Sequence, residues 1–246
     1  VRHIGAATLS GHVDLDDFLE QRLDAVLLCQ SDPKVELALR VLASRRHLFI
    51  EKPVAFVPQD VDDMAEAAQQ AGVVAQAGYM KVFDPAFRLV EHEVAGMRDD
   101  LRFAQINHLH TDNRHHLAHF RLRAADDLPA SGGAALAARR QADAERALGE
   151  VADPIRSAFF HLAGSMIHDL YGLRQLFGPP DRVASTEIWN GGLGITTVLA
   201  WEGGPRCAAT WVELERIRHF RETLEVYSAD RGVILSYPTG FSRGML

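Results

Sequence analysis

Short unbroken apolar runs alternate with amphipathic stretches through the first third of the chain. Asp24–Cys29 (DAVLLC) is a continuous apolar run, the pattern of a parallel strand buried on both faces. In the turn that follows, Asp32 and Pro33 suit the N-cap and first position of a helix running to about Ser44. Its apolar residues Val35, Leu39 and Leu42 recur at helical spacing. A second strand is predicted at His47–Ile50, ending at Glu51-Lys52-Pro53, then a helix at Pro58–Ala71 and a strand at Val73–Ala77. Strand and helix alternating in this way predict a doubly wound α/β unit.

The texture changes near Asp84-Pro85, which opens a helix with Phe87, Val90, Val94 and Met97 on one stripe. Leu101–His110 alternates as a strand does, an irregular histidine-rich stretch follows, and Leu136–Leu148 reads as a charged, alanine-rich helix. Asp153-Pro154 starts a long helix that stops before Gly178-Pro179-Pro180. Five strands close the chain: Val183–Trp189, Ile195–Trp201, Cys207–Leu214, Thr223–Tyr227 and Val233–Ser236. Runs of strands after βα alternation predict a second, α+β domain with a largely antiparallel sheet. Gly191-Gly192-Leu193-Gly194 has a phosphate-loop look but lies between strands with no helix after it, so a hairpin turn is expected.

A chain of 246 residues with 47% hydrophobic and 24% charged residues has the material for a full globular core. No run approaches the ~18 apolar residues that span a bilayer, and no export signal is legible, so no membrane association and a cytoplasmic location are expected. Two cysteines are too few for a disulfide framework; Cys29 reads as a buried small residue. With 26 basic against 33 acidic side chains, the net charge of −7 disfavours nucleic acid as a partner. The opening on Val1 rather than Met predicts an N-terminal piece ahead of this sequence.

Three places can carry chemistry. Lys52 lies just past the C-terminal end of a predicted parallel strand, the edge where open α/β sheets bind ligands. A lysine there polarises a substrate oxygen or exchanges a proton, or is a surface residue beside a turn proline. On the long helix, at ~100° per residue, Ile155, Phe159, Leu162, Met166, Leu170, Leu173 and Phe177 share an apolar face. His161, Ser165, His168 and Gly172 share another, with Asp169 at the edge of the apolar stripe. That polar face either lines a cleft or meets solvent. Finally, His108, His110, Asp112, His115, His116 and His119 are numerous enough for metal ligation. Only His115 and His119 stand four apart, however, and no acidic or CxxC partner accompanies them, so a polar loop near a ligand is expected and no metal.

The stretch from about Leu15 to Arg88 resembles the glucose–fructose oxidoreductase, inositol dehydrogenase and MocA family of NAD(P)-dependent oxidoreductases. The likeness is carried by DAVLLCQSDPKVELALRVLASRRHLFIEKPVAF and AGYMKVFDPAF, and later by Ile167-His168-Asp169 with LRQLFG. It implies an N-terminally incomplete Rossmann-like domain over residues 1–82 and an α+β substrate and oligomerisation domain over 83–246. It further implies hydride transfer between NAD or NADP and a hydroxyl or carbonyl of a sugar-like or polyol substrate. Lys52 and His168 would be catalytic, and Gln30, Ser31, Glu51, Lys52 and Pro53 would bind the cofactor. Tyr79, Lys81, Asn113, His161, Ser165 and Asp169 would meet the substrate, and the C-terminal sheet would pair copies into a homo-oligomer. The family's G-x-G-x-x-G strand-turn is not in this sequence, Lys34 stands where a histidine is often seen, and Gly164 stands where related dehydrogenases commonly carry Asp, so His161 or Ser165 is a candidate substitute. A non-catalytic relative acting in binding or assembly is the alternative, and a metal-dependent lyase or hydrolase built on the histidine loop a third.

Overall fold

The computed structural model describes residues 10–30, 33–112, 114–118, 120–121, 130–238 and 244–245. It divides into two compact units, Val1–Gly78 and Tyr79–Leu246.

In the first unit, a short helix α1 (Leu15–Leu19) precedes β1 (Ala25–Leu28), α2 (Val35–Ala43), β2 (His47–Ile50), α3 (Pro58–Ala71) and β3 (Ala75–Ala77). The strands form a parallel sheet in the order β1-β2-β3, with Ala25 opposite His47 and Leu48 opposite Ala75. Both crossovers advance in the same direction, so right-handed connections place α2 and α3 on one face. Val26, Leu28, Leu48 and Ile50 pack there against Val41, Leu42 and Met64. β1 alternates instead of being buried on both faces: Leu27 is 65% exposed. Cys29 lies in the same outward register and is exposed, not buried. α2 also starts later than expected, with Lys34 rather than Asp32 as its N-cap residue and no side-chain cap bond. Asp32 lies outside the described residues. α3 begins with Pro58 in its first turn and ends on left-handed Gly72, the two signals that delimit it in the sequence.

The second unit opens with a 3₁₀ turn at Met80–Phe83 and α4 (Pro85–Ala95), whose N-cap Asp84 accepts from the amide of Ala86. Then come β4 (Phe103–Thr111), a short α5 (Arg114–Leu117), α6 (Ala130–Leu148), α7 (Asp153–His161), a π turn at Leu162–Met166 and α8 (Ile167–Phe177). Five strands follow: β5 (Arg182–Trp189), β6 (Gly194–Ala200), β7 (Arg206–Leu214), β8 (Arg221–Tyr227) and β9 (Gly232–Tyr237). The sheet order is β5-β6-β7-β4-β8-β9, antiparallel except for the β4–β7 pair. Gly191 and Gly192 take positive φ in the β5–β6 turn, as a hairpin there requires.

One face of this sheet carries the core. Ala104 and Ile106 of β4, Cys207, Ala209 and Trp211 of β7, and Leu224 and Val226 of β8 alternate inward. Phe87, Val90 and Val94 of α4 and Met166, Leu173 and Leu176 close over them. Each such large apolar side chain contributes roughly 1.5–3 kcal/mol through burial.

The long helix departs from its projected faces. A π turn holds one more residue than an α turn, so a single 100° projection fails across Leu162–Met166. Beyond it the buried stripe is Met166, Asp169, Leu173 and Leu176, and Ile155 is exposed. Asp169 thus lies inside rather than at the edge. Gly172 leaves the polar face to pack on Phe87, where an added Cβ would come within 3.2 Å of the ring.

Candidate functional site

The first unit presents the C-terminal edge of its parallel sheet. The amide of Glu51 donates to the Leu28 carbonyl at 2.9 Å, and that of Gly78 to Ile50 at 2.8 Å, so the ladder continues one residue past β2. Glu51 thereby sits between the ends of β1 and β3. A Cβ on Gly78 would lie 3.0 Å from Glu51 Oε1 and 3.1 Å from the Phe49 ring, so that glycine makes room for the carboxylate. Glu51 Oε2 accepts from the Lys52 amide at 3.1 Å, and the Lys52–Pro53 bond is cis. Glu51, Lys52 and Pro53 are half-buried at this edge. Gln30 is exposed after β1, and its carbonyl accepts from Nζ of buried Lys34 at 3.4 Å. Ser31 lies outside the described residues.

The second unit assembles a polar cluster from six elements. His108 follows Ala104 and Ile106 on the inward register of β4, directly opposite Glu222 on β8 and beside Trp211 on β7. Asp169 reaches it from α8, with Oδ2 2.7 Å from His108 Nδ1. Glu222 Oε2 is 3.9 Å from the same nitrogen. Lys81, turned inward by the 3₁₀ segment, donates to both oxygens of Glu222 and lies 4.6 Å above the ring of Tyr237. On its outer side His108 Nε2 is 3.2 Å from Ser165 Oγ, which accepts from the indole N–H of Trp211 at 3.0 Å. His110 Nδ1 stands 3.4 Å from both His108 Nε2 and Ser165 Oγ.

Burial governs the electrostatics. Desolvation, only partly offset by Lys81 and a hydrogen bond from Glu222, raises the Asp169 carboxyl to about 6. Desolvation and then the Asp169 charge raise Glu222 to about 7 against the pull of Lys81 and His108. His161 is half-buried, stacked on Trp211 at 4.5 Å, and its pKa is lowered first by desolvation and then by Arg140.

The expected substrate residues therefore separate. Tyr79 stacks on Tyr171 at 4.2 Å. Lys81 is 9% exposed and Asp169 7%, so both are interior partners in an ion network rather than open contacts. His161, Ser165 and His168 are half-buried. Asn113 and His119, and the side chains of His115 and His116, lie outside the described structure; Asp112 pairs with Arg114. Donor atoms of His108, Asp169 and Glu222 lie within 4.8 Å of one another, a spacing that would also suit a cation. Here the ammonium of Lys81 supplies that positive charge. Glu222 was not foreseen from the sequence.

Comparison with known proteins bears first on the sheet edge. Residues 5–79 match the family model described as an oxidoreductase family with an NAD-binding Rossmann fold. Over those residues the first unit is similar to the glucose–fructose oxidoreductase, inositol dehydrogenase and MocA family. Myo-inositol 2-dehydrogenase of Thermotoga maritima is 33% identical over 76 residues, covering 30% of this chain and 23% of that protein. The sequence thus spans under a quarter of that relative's length in the match. Among solved structures, the WlbA dehydrogenase from Bordetella pertussis in complex with NADH and UDP-GlcNAcA shares the fold. It superimposes with a TM-score of 0.66 at 17% identity, over 92% of this chain and 59% of that one. A myo-inositol 2-dehydrogenase from Lactobacillus plantarum gives 0.62 at 17%, over 91% and 60%. The family's cofactor class is NAD, and no helix among the described residues is long and apolar enough to cross a membrane.

Proposed function

We propose that this chain is part of a nicotinamide-dependent dehydrogenase acting on a hydroxyl or carbonyl of a sugar-like or polyol substrate. The observation that carries the reading is the Glu51-Lys52-Pro53 turn at the C-terminal edge of a parallel sheet, inside the stretch that matches the NAD-binding family. Gln30, Ser31, Glu51, Lys52 and Pro53 are assigned to the cofactor. A bound nicotinamide supplies the two-electron acceptor or donor; the protein's part is orientation and proton handling. Lys52 polarises the reacting oxygen, lowering the cost of charge that develops on it. His168, on the second unit, serves as hydrogen-bond partner or proton carrier. Tyr79, Asn113, His161 and Ser165 are assigned to substrate binding, and Lys81 and Asp169 to the ion network that supports them.

The outer face of the six-stranded sheet, with half-buried Gln105, Asn107, Val198 and Thr210, is assigned to pairing with a second copy in the cytoplasm. Light scattering on the purified chain gives its mass in solution, and a strict monomer removes that assignment.

The test of function is titration with NADH and NADPH, followed by tryptophan quenching and energy transfer to the nicotinamide. Saturable binding, then turnover of myo-inositol or a uridine-diphosphate-linked sugar acid, supports the dehydrogenase. Absence of binding to either cofactor removes it.

A further inference from the structure

We propose that β5 is an interface strand, which pairs edge to edge and antiparallel with β5 of a second copy of this chain. The inference is independent of the dehydrogenase reading. It concerns one edge of the six-stranded sheet, not the outer face of that sheet.

The two ends of the sheet are finished differently. At one end Ser236 of β9 exchanges both backbone hydrogen bonds with Met245 at 2.7 Å, so that edge is partly covered. At the other end β5 pairs with β6 alone among the described residues, and all of it except Ile188 is exposed. Val183 is 59% exposed. Such an edge offers the N–H and C=O groups of alternate residues to another strand. Its sequence, RVASTEIW, holds no proline or glycine and sets one cation against one anion, so its composition does not turn a strand away.

Its geometry selects which strand. Val183 lies opposite Leu199 and Ser185 opposite Val198, so Ala184 is an extra residue bulged against β6. A regular strand laid on the outer edge would meet the same excess and lose register there. A second β5 brings an identical excess. About a two-fold axis between Ala184 and Ser185, Ala184 meets the partner's Ser185, Val183 meets the partner's Thr186, and Arg182 meets the partner's Glu187. The extra residues then face each other, and the ladder keeps step on both sides of them.

The bulge also sets the faces. On β6, Ile195 and Leu199 point into the core, so Thr196 and Ala200 point outward, and their opposites Glu187 and Arg182 do the same. Five positions apart, these two would stand on opposite faces of a regular strand. Here they share one face, and neither has an ion-pair partner among the described residues. Each interface therefore gains two cross-strand pairs of opposite charge and two of β-branched residues. Charge and bulge select the same register, and a two-fold pairing of identical edges closes at a dimer.

The test is sedimentation velocity of the purified chain over a concentration series. The wild type should form a dimer. Arg182→Glu sets like charges opposite each other at both ends of the ladder and should weaken that dimer about 10–10²-fold, as should Glu187→Arg. Combining the two restores opposite charges and should recover most of the affinity. Both side chains are exposed, so thermal midpoints should stay in place. Register is read after Cys29→Ser, which removes an exposed thiol. Arg182→Cys with Glu187→Cys should then give a covalent dimer on mild oxidation, and either change alone should not. Within one chain the two positions are roughly 15 Å apart, beyond disulfide reach. A dimer that neither reversal weakens, or single-cysteine variants that cross-link as well as the double one, overturns the proposal and leaves the outer face as the contact. A strict monomer overturns both.

Discussion

Two lysines separate the chemistry of the two units. Lys52 is half-buried at a strand end, and its setting is made by its neighbours Glu51 and Pro53 and by the sheet edge beneath. Lys81 is buried, and its partner Glu222 lies 141 residues further on. The first lies at the sheet edge that we propose binds the cofactor. The second is a charge taken out of water whose cost is offset only by its partners. A polar side chain on a rigid edge is disposable for folding and costly for function, and an interior ion pair is the reverse.

The strongest test of that contrast is Lys52→Met. Turnover should fall by about 10²–10⁴-fold, while urea unfolding should shift by no more than ~0.5 kcal/mol, as for other changes away from the core. Full activity in the variant would sink the assignment of Lys52. Lys81→Met should do the opposite. It strands Glu222 beside Asp169 and should cost the second unit about 3–5 kcal/mol. Lys81→Met with Glu222→Gln should recover part of that loss, because the pair is coupled. A cost under ~1 kcal/mol for Lys81→Met would show that the pair is solvated.

The same contrast explains what was legible in the sequence. β2 and α3 are bounded and α4 starts as expected because apolar period, proline and glycine act locally, although α4 ends at Ala95, before Met97 of its expected stripe. The Lys52 turn is one of these local signals. The cluster is not, because its members become neighbours only once strand register is set. His108 and Glu222 face each other across β4 and β8, which no spacing along the chain reveals. A signal was nonetheless present: His108 follows Ala104 and Ile106, and Glu222 precedes Leu224 and Val226, each an ionisable residue on the inward beat of an apolar alternation. Asp169 was placed at the edge of its stripe because a uniform helical projection cannot foresee the π turn. Cys29 and Leu27 were misplaced because an apolar run does not say whether one face or both will be covered.

A smaller effect comes from pH. In the unfolded chain Asp169 and Glu222 lose their protons near pH ~4, whereas the folded chain holds them to about 6 and about 7. Between those limits the native state binds more protons. Their contribution to stability is therefore full below about pH 4 and is lost as pH rises through the folded values. Urea midpoints measured across this range should fall more steeply in the wild type than in Asp169→Asn with Glu222→Gln. Equal slopes would mean that neither carboxyl is perturbed.

Two glycines of the long helix give the smallest effect and the sharpest contrast between exposed and interior positions. Gly164 is exposed, no atom among the described residues lies within 4 Å of where its Cβ would stand, and its φ is not in the left-handed range. Gly164→Ala should therefore stabilise by about 0.5–1 kcal/mol, since alanine loses less backbone freedom on folding. Gly172 takes the same helical gain, but its Cβ would press at 3.2 Å on Phe87, a ring only 2% exposed in the core. Crowding a packed core costs about 1–3 kcal/mol, which outweighs the propensity gain, so Gly172→Ala should be net destabilising. Thermal midpoints of the two variants should move in opposite directions. If both rise, Phe87 has room to yield, and the packing between α4 and α8 is looser than the contact implies.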